Sequence, residues 1–196
     1  MAKQSPSQTV GPFFAYGLVP EPYGRKGIAS NVLAANGVEG EHIRIEGRVL
    51  DGKGEPVNDA LIEIWQANAH GRYRHARDAR DGVPLDPGFT GFGRAMTDDK
   101  GVFRFETVKP GRVPGGGNAW QAPHIGVTVL ARGMPNHAYS RIYFSDEEKA
   151  NAEDPVLALV PPARRGTLIA RREAGAAVYR FDIRLQGEDE TVFFDA

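Results

Sequence analysis

"HIRIEGRVL", residues 42–50, places Ile43 and Ile45 on one side of an extended chain and Arg44 and Glu46 on the other. Side chains alternate across a strand with period two, so this is the pattern of a half-buried β-strand. The same pattern returns in "GVFRFETV" (101–108), where Phe103 and Phe105 alternate with Arg104 and Glu106. It returns again in "VYRFDIRLQ" (178–186), where Tyr179, Phe181, Ile183 and Leu185 oppose Arg180, Asp182, Arg184 and Gln186. Turn signals separate such runs: "DGKGEP" at 51–56, "DDKG" at 98–101 and "KPGRVPGGGN" at 109–118. Many short alternating strands divided by turns define an all-β chain, read here as an antiparallel β-sandwich.

Helix is scarce. In "SDEEKANAED" (145–154) Ser145 stands three residues before Glu148 as a capping box, with Pro155 as the stop. "RRGTLIARRE" (164–173) is a second short candidate, weakened by Gly166. The first forty residues show no period. The expected organisation is an N-terminal arm over 1–40, docked on its own domain or a neighbour, and one sandwich over 41–196.

The 196 residues suit one domain with a sizeable core. A formal net charge of −1 gives no electrostatic case for nucleic acid or an anionic membrane. No apolar run is long enough for a transmembrane helix, and "MAKQSPSQTVGPFF" lacks the apolar core of a signal peptide. With no cysteine, disulfides and thiolate metal sites are excluded, and the cytoplasm is the expected address. No P-loop, G-x-S-x-G elbow or H-E-x-x-H is present.

Two residues have metal-ligand chemistry. Tyr73, in "GRYRH" (71–75), falls in a loop after the strand "ALIEIWQAN", and His124 opens the strand "HIGVTV" (124–129). Phenolate and imidazole together suit ferric iron. A His-x-His pair would aim two imidazoles at one metal, yet Gly126 occupies the second place. Taken alone, Tyr73 reads equally as a packing residue and His124 as a hydrogen-bonded interior histidine. Arg132, in "LARGM" (130–134), ends the strand that carries His124; it is either solvated or a carboxylate anchor.

Several ordered motifs together carry a resemblance: "PSQTVGPFF" (6–14), "LIEIWQANAHGRYRH" (61–75), "PLDPGFTGFGRAMTDDKGVFRFETVKPG" (84–111), "APHI" (122–125) and "YRFDIRLQGEDETVFFD" (179–195). The chain resembles the intradiol ring-cleaving dioxygenases over nearly its whole length, most densely the members built from two homologous chains. The resemblance implies a β-sandwich and a non-haem Fe(III) site made by two tyrosines and an H-x-H pair. On that pattern Tyr73 falls on the first tyrosine ligand and His124 on the first histidine. Val113 stands where the second tyrosine belongs and Gly126 where the second histidine belongs. Gln121, in "WQAPH", replaces the arginine of a W-R-P-A-H pattern.

Neither valine nor glycine offers a side-chain donor, so the resemblance implies a vestigial site, with no metal ligands on this chain. It further implies an α-type subunit whose partner is a homologous, iron-bearing β subunit. The expected substrates are protocatechuate and O2. Arg132, Thr9, Gly11 and Pro12 are the expected substrate-binding residues of this chain, lining the partner's pocket without a catalytic role. A self-sufficient enzyme with a rearranged set (Tyr73, His124 and His75) and a non-catalytic binding module are the competing readings.

Overall fold

The computed structural model describes Thr9 and residues 16–195. Two layers of strands enclose one core. The first layer contains β1 (His42–Leu50), β4 (Val102–Val108), β10 (Val178–Arg180) and β11 (Ile183–Arg184). The second contains β2 (Leu61–Gln66), β3 (Phe92–Met96), β7 (His124–Leu130) and β8 (Ala138–Phe144). β9 (Ile169–Arg172) joins them, pairing with β10 through Tyr179↔Arg172 and with β8 through Tyr143↔Ile169. The alternating residues face each other across the gap. Ile43, Ile45, Phe103, Phe105 and Tyr179 come from one layer, and Ile62, Ile64, Ile125, Val127 and Ile142 from the other. Burial of this apolar surface is the main force holding the layers together.

The all-β class with short helices is what the chain adopts, while the pairing is mixed rather than purely antiparallel. β1 runs parallel to β10 and β11, and β8 parallel to β9. The run read as one strand over 178–186 is interrupted at Phe181 and Asp182, although Arg44↔Val178 and Val49↔Ile183 keep one register. The cause is local. The Asp182 carboxylate accepts from the Arg48 N–H at 2.9 Å in place of a ladder carbonyl. Beside it, Gly47 lies so close to the Phe181 carbonyl that a Cβ there would sit 1.6 Å from the oxygen. Only glycine fits.

The helix signals are corrected in two places. The α-helix α1 spans Glu148–Glu153 with Glu147 at the N-cap and no side-chain cap. Ser145 is not its cap, because its hydroxyl accepts from the Arg172 N–H at 3.0 Å. The second candidate becomes a 3-10 turn over Pro162–Leu168 and then β9. β9 is where the two layers need a bridging strand, so tertiary pairing overrides local helical preference.

Residues 30–38 of the N-terminal segment dock on the chain's own layers. Leu33 donates from its N–H to Glu106 O at 2.8 Å, Thr90 and Arg94 donate to Leu33 O and Ser30 O, and Leu33, Ala34 and Val38 join the core. Among the described residues, no helix is long and apolar enough to cross a membrane.

Candidate functional site

The face of β7 that points away from the core carries His124 and Gly126, since Ile125, Val127 and Val129 point inward. On β8 the same face carries Tyr139, Arg141 and Tyr143, with Gly126 directly opposite Arg141 and His124 opposite Tyr143. β2 adds Trp65, opposite Gly126. The "KPGRVPGGGN" stretch closes over one side as a small hairpin of β5 (Val113–Pro114) and β6 (Trp120–Gln121), with Val113 paired to Gln121 and buried.

Tyr73 reaches this face from the loop after β2. Its N–H donates to Asp78 Oδ2 at 2.8 Å, and Arg80 grips the same carboxylate at 2.6 and 2.7 Å. The Arg80 hydrogen bonds hold the Asp78 carboxyl down at about 2, so this clamp is charged at any ordinary pH. Gly71 anchors the loop at φ 76°, packed so that a Cβ would meet the Arg112 carbonyl at 1.9 Å. The Tyr73 ring stacks on Trp65 with 6.0 Å between centroids. Trp65, Tyr73, His75, Arg77, Val113 and Pro114 line an open cleft of about 430 Å³.

Tyr73 and His124 do meet. The phenol oxygen lies 3.5 Å from His124 Nε2, and His124 Nδ1 lies 2.8 Å from the Ala122 carbonyl. A carbonyl only accepts, so Nδ1 carries the proton and Nε2 is left as the acceptor toward the phenol. Burial, reinforced by the nearby Arg141 charge, lowers the His124 pKa to about 4. Burial likewise pushes Tyr73 up. The pair is neutral, each partner satisfied from within the chain.

The other two ligand positions offer nothing. Val113 is apolar, and a Cβ built on Gly126 would stand 3.1 Å from the Tyr139 hydroxyl, which occupies the space of a second imidazole. Arg141 adds a positive charge: its Nη1 donates to Gln121 Oε1 at 2.7 Å, and burial opposes its charge, but the Tyr143 and Tyr139 oxygens hold the guanidinium above its ordinary pKa. With two donors and a fixed cation beside them, the residues present do not fit ferric iron. Of the remaining histidines, His42 bonds the Val38 carbonyl, His70 bonds Glu39, and His75 accepts the Arg77 N–H at Nδ1.

Below this face, Asp154 is fully buried and accepts from the N–H groups of Ala122, Val156 and Leu157 and from the Tyr143 hydroxyl. It fixes the chain just before His124. Arg141, Tyr139 and Tyr143 are not legible as site residues because "YSRIYF" (139–144) reads as ordinary strand alternation, and neither is Asp154, because it closes the short helix signal "SDEEKANAED".

Arg132 lies two residues beyond β7, in the turn past a strand that runs about 20 Å from His124 to Leu130. Its Nε pairs with Asp59 at 3.2 Å and its Nη2 donates to Asn58 at 3.1 Å, while the side chain stays 60% exposed. Thr9 is brought to the same end: its hydroxyl donates to the Ala131 carbonyl at 3.1 Å. Gly11 and Pro12 lie outside the described residues. The candidate residues therefore form two groups, Tyr73–Val113–His124–Gly126 on one face and Thr9–Arg132 at the far end of β7.

Residues 23–187 match the family model described as Dioxygenase, and the chain belongs to this family of intradiol ring-cleaving dioxygenases. Within it, the chain is 51% identical to the protocatechuate 3,4-dioxygenase alpha chain of Burkholderia cepacia, covering 98% of both chains. It is also 44% identical to the beta chain of the same enzyme and organism, over 78% of this chain and 67% of that one. The fold is shared with an intradiol ring-cleavage dioxygenase from Tetranychus urticae at a TM-score of 0.61 and 20% identity, covering 96% of this chain and 98% of the other.

Proposed function

We propose that this chain is the iron-free α subunit of a protocatechuate 3,4-dioxygenase. With a homologous β subunit that carries Fe(III), it takes part in the O2-dependent cleavage of protocatechuate between its two hydroxylated carbons. The product is 3-carboxy-cis,cis-muconate, which retains both atoms of O2. One observation carries the reading. A chain related to alpha chains over 98% of its length has Val113 and Gly126 where donors belong, with Tyr139 and Arg141 filling the face beside them. The likeness to a beta chain supports a partner of the same fold.

This chain's contribution is then to binding. Protocatechuate carries a carboxylate opposite its hydroxyls, and a guanidinium is its natural counter-ion. Arg132 is exposed, lies past the end of a strand and is oriented by Asp59 and Asn58. It presents its charge to the mouth of the partner's pocket. Thr9 is tied beside it through the Ala131 carbonyl, and we assign Gly11 and Pro12, which lie outside the described residues, to the same binding role because their small side chains suit a wall against a planar ring. The apolar residues Tyr16 and Ile28, 60% and 96% exposed, suit a segment that a neighbour covers.

Co-expression with an iron-bearing homologue tests the proposal. The chain purified alone is expected to hold no stoichiometric iron and to show no tyrosinate-to-iron band, and the co-purified pair to hold iron and turn over protocatechuate. One tightly bound Fe(III) in the chain alone would overturn it.

A further inference from the structure

The face of β7 and β8 that could have held a metal is not an empty remnant. Gly126 stands opposite Arg141, so the guanidinium rises beside the missing imidazole. The Tyr139 hydroxyl lies 3.1 Å from where the Cβ of residue 126 would be. Arg141 is half-buried; its Nη1 donates to the Gln121 amide oxygen, its Nε is buried without a partner among the described residues, and the Tyr139 and Tyr143 side chains favour its charge. A half-buried cation is costly unless polar oxygens are oriented toward it. Here Gln121 is oriented by its own bond to the Pro114 carbonyl, and Tyr143 by its bond to Asp154. The arginine that the family pattern places at 121 is thus supplied from 141, with a glutamine at 121 to receive it.

We propose that Arg141 is a built-in replacement for the metal's positive charge, holding the hairpin of Val113 and Gln121 against β8 and closing the face to metal even if the missing ligands are restored. This rests on the reading that the chain itself holds no iron. An unmodified complex measured in parallel separates the two, since iron on the unmodified chain would sink that reading first.

The test uses the full chain co-purified with its β partner and reads iron per αβ pair and the visible tyrosinate band. The background Val113→Tyr/Gly126→His/Tyr139→Phe restores the donors and removes the obstructing hydroxyl. It is expected to leave iron at the unmodified level. Adding Arg141→Gln or Arg141→Met is expected to raise iron by up to one further ion per pair, whereas Arg141→Lys, which keeps the charge, is not. Iron uptake by the background alone would overturn the proposal, as would uptake equal with lysine and with the neutral residues, or no uptake by a correctly assembled neutral variant.

The same three changes in the otherwise unmodified chain give an independent readout. Assembly yield is expected to fall severalfold for glutamine and methionine and to be largely kept by lysine. Equal yields for all three, or failure of all three, would show that the shape of the side chain matters and its charge does not, and would overturn the proposal.

Discussion

The hydroxyl of Thr9 donates to the carbonyl of Ala131 across 122 residues of sequence, placing Thr9 against the residue that precedes Arg132. Thr9 and Arg132, with no sequence relationship between them, thereby meet at one edge of the fold.

Arg132→Ala should lower kcat/KM for protocatechuate in the αβ complex by roughly ten- to hundredfold. The loss corresponds to one charge-assisted bond of about 1.5–3 kcal/mol. Catechol, which lacks the carboxylate, should be turned over almost as before. Stability should change by less than about 1 kcal/mol, because the ion pair with Asp59 is largely exposed on the arginine side. Steady-state kinetics on both substrates checks this, and an equal loss for both would mark the arginine as structural.

Removal of residues 1–14 should leave the sandwich folded, because the described core begins at Leu33. Association with the partner or turnover should fall. Thr9→Val, which keeps the shape and removes the hydroxyl, should reproduce a smaller part of the loss. Normal assembly and turnover by the truncated chain would show that the arm has no part in the site.

Stability should fall as pH drops from about 6.5 toward 4. His124 is neutral in the folded chain with its pKa lowered to about 4, while the unfolded chain takes up the proton near the ordinary value of 6.5. The unfolded state therefore binds more protons in that window, and stability rises with pH across it. At full extent the effect is about 3 kcal/mol. Denaturant melts at several pH values check it, and His124→Gln should flatten this part of the profile.

Asp154→Ala should destabilise the chain by about 3 kcal/mol or more. It would strip acceptors from two buried N–H groups, one half-buried N–H and the Tyr143 hydroxyl at once. Asp154→Asn should be milder, since one amide oxygen still accepts. Chemical unfolding of both variants measures the difference, and near-equal stability with the parent would show that water replaces these bonds.

Side-chain chemistry is fixed by residue identity, so the sequence by itself determined that Val113 and Gly126 supply no donors. It likewise determined which sides of 42–50, 102–108 and 178–186 face a core, because period-two alternation is a local property. What alternation does not encode is the partner. That β1 pairs parallel with β10, and that β9 bridges the two layers where a helix was expected, follows from how the whole chain packs. The same holds for the site. Arg141 and Gln121 are twenty residues apart on different strands, and Thr9 is 122 residues from Ala131. Those meetings depend on which surfaces the closed sandwich brings within hydrogen-bond reach, and only the tertiary structure decides that.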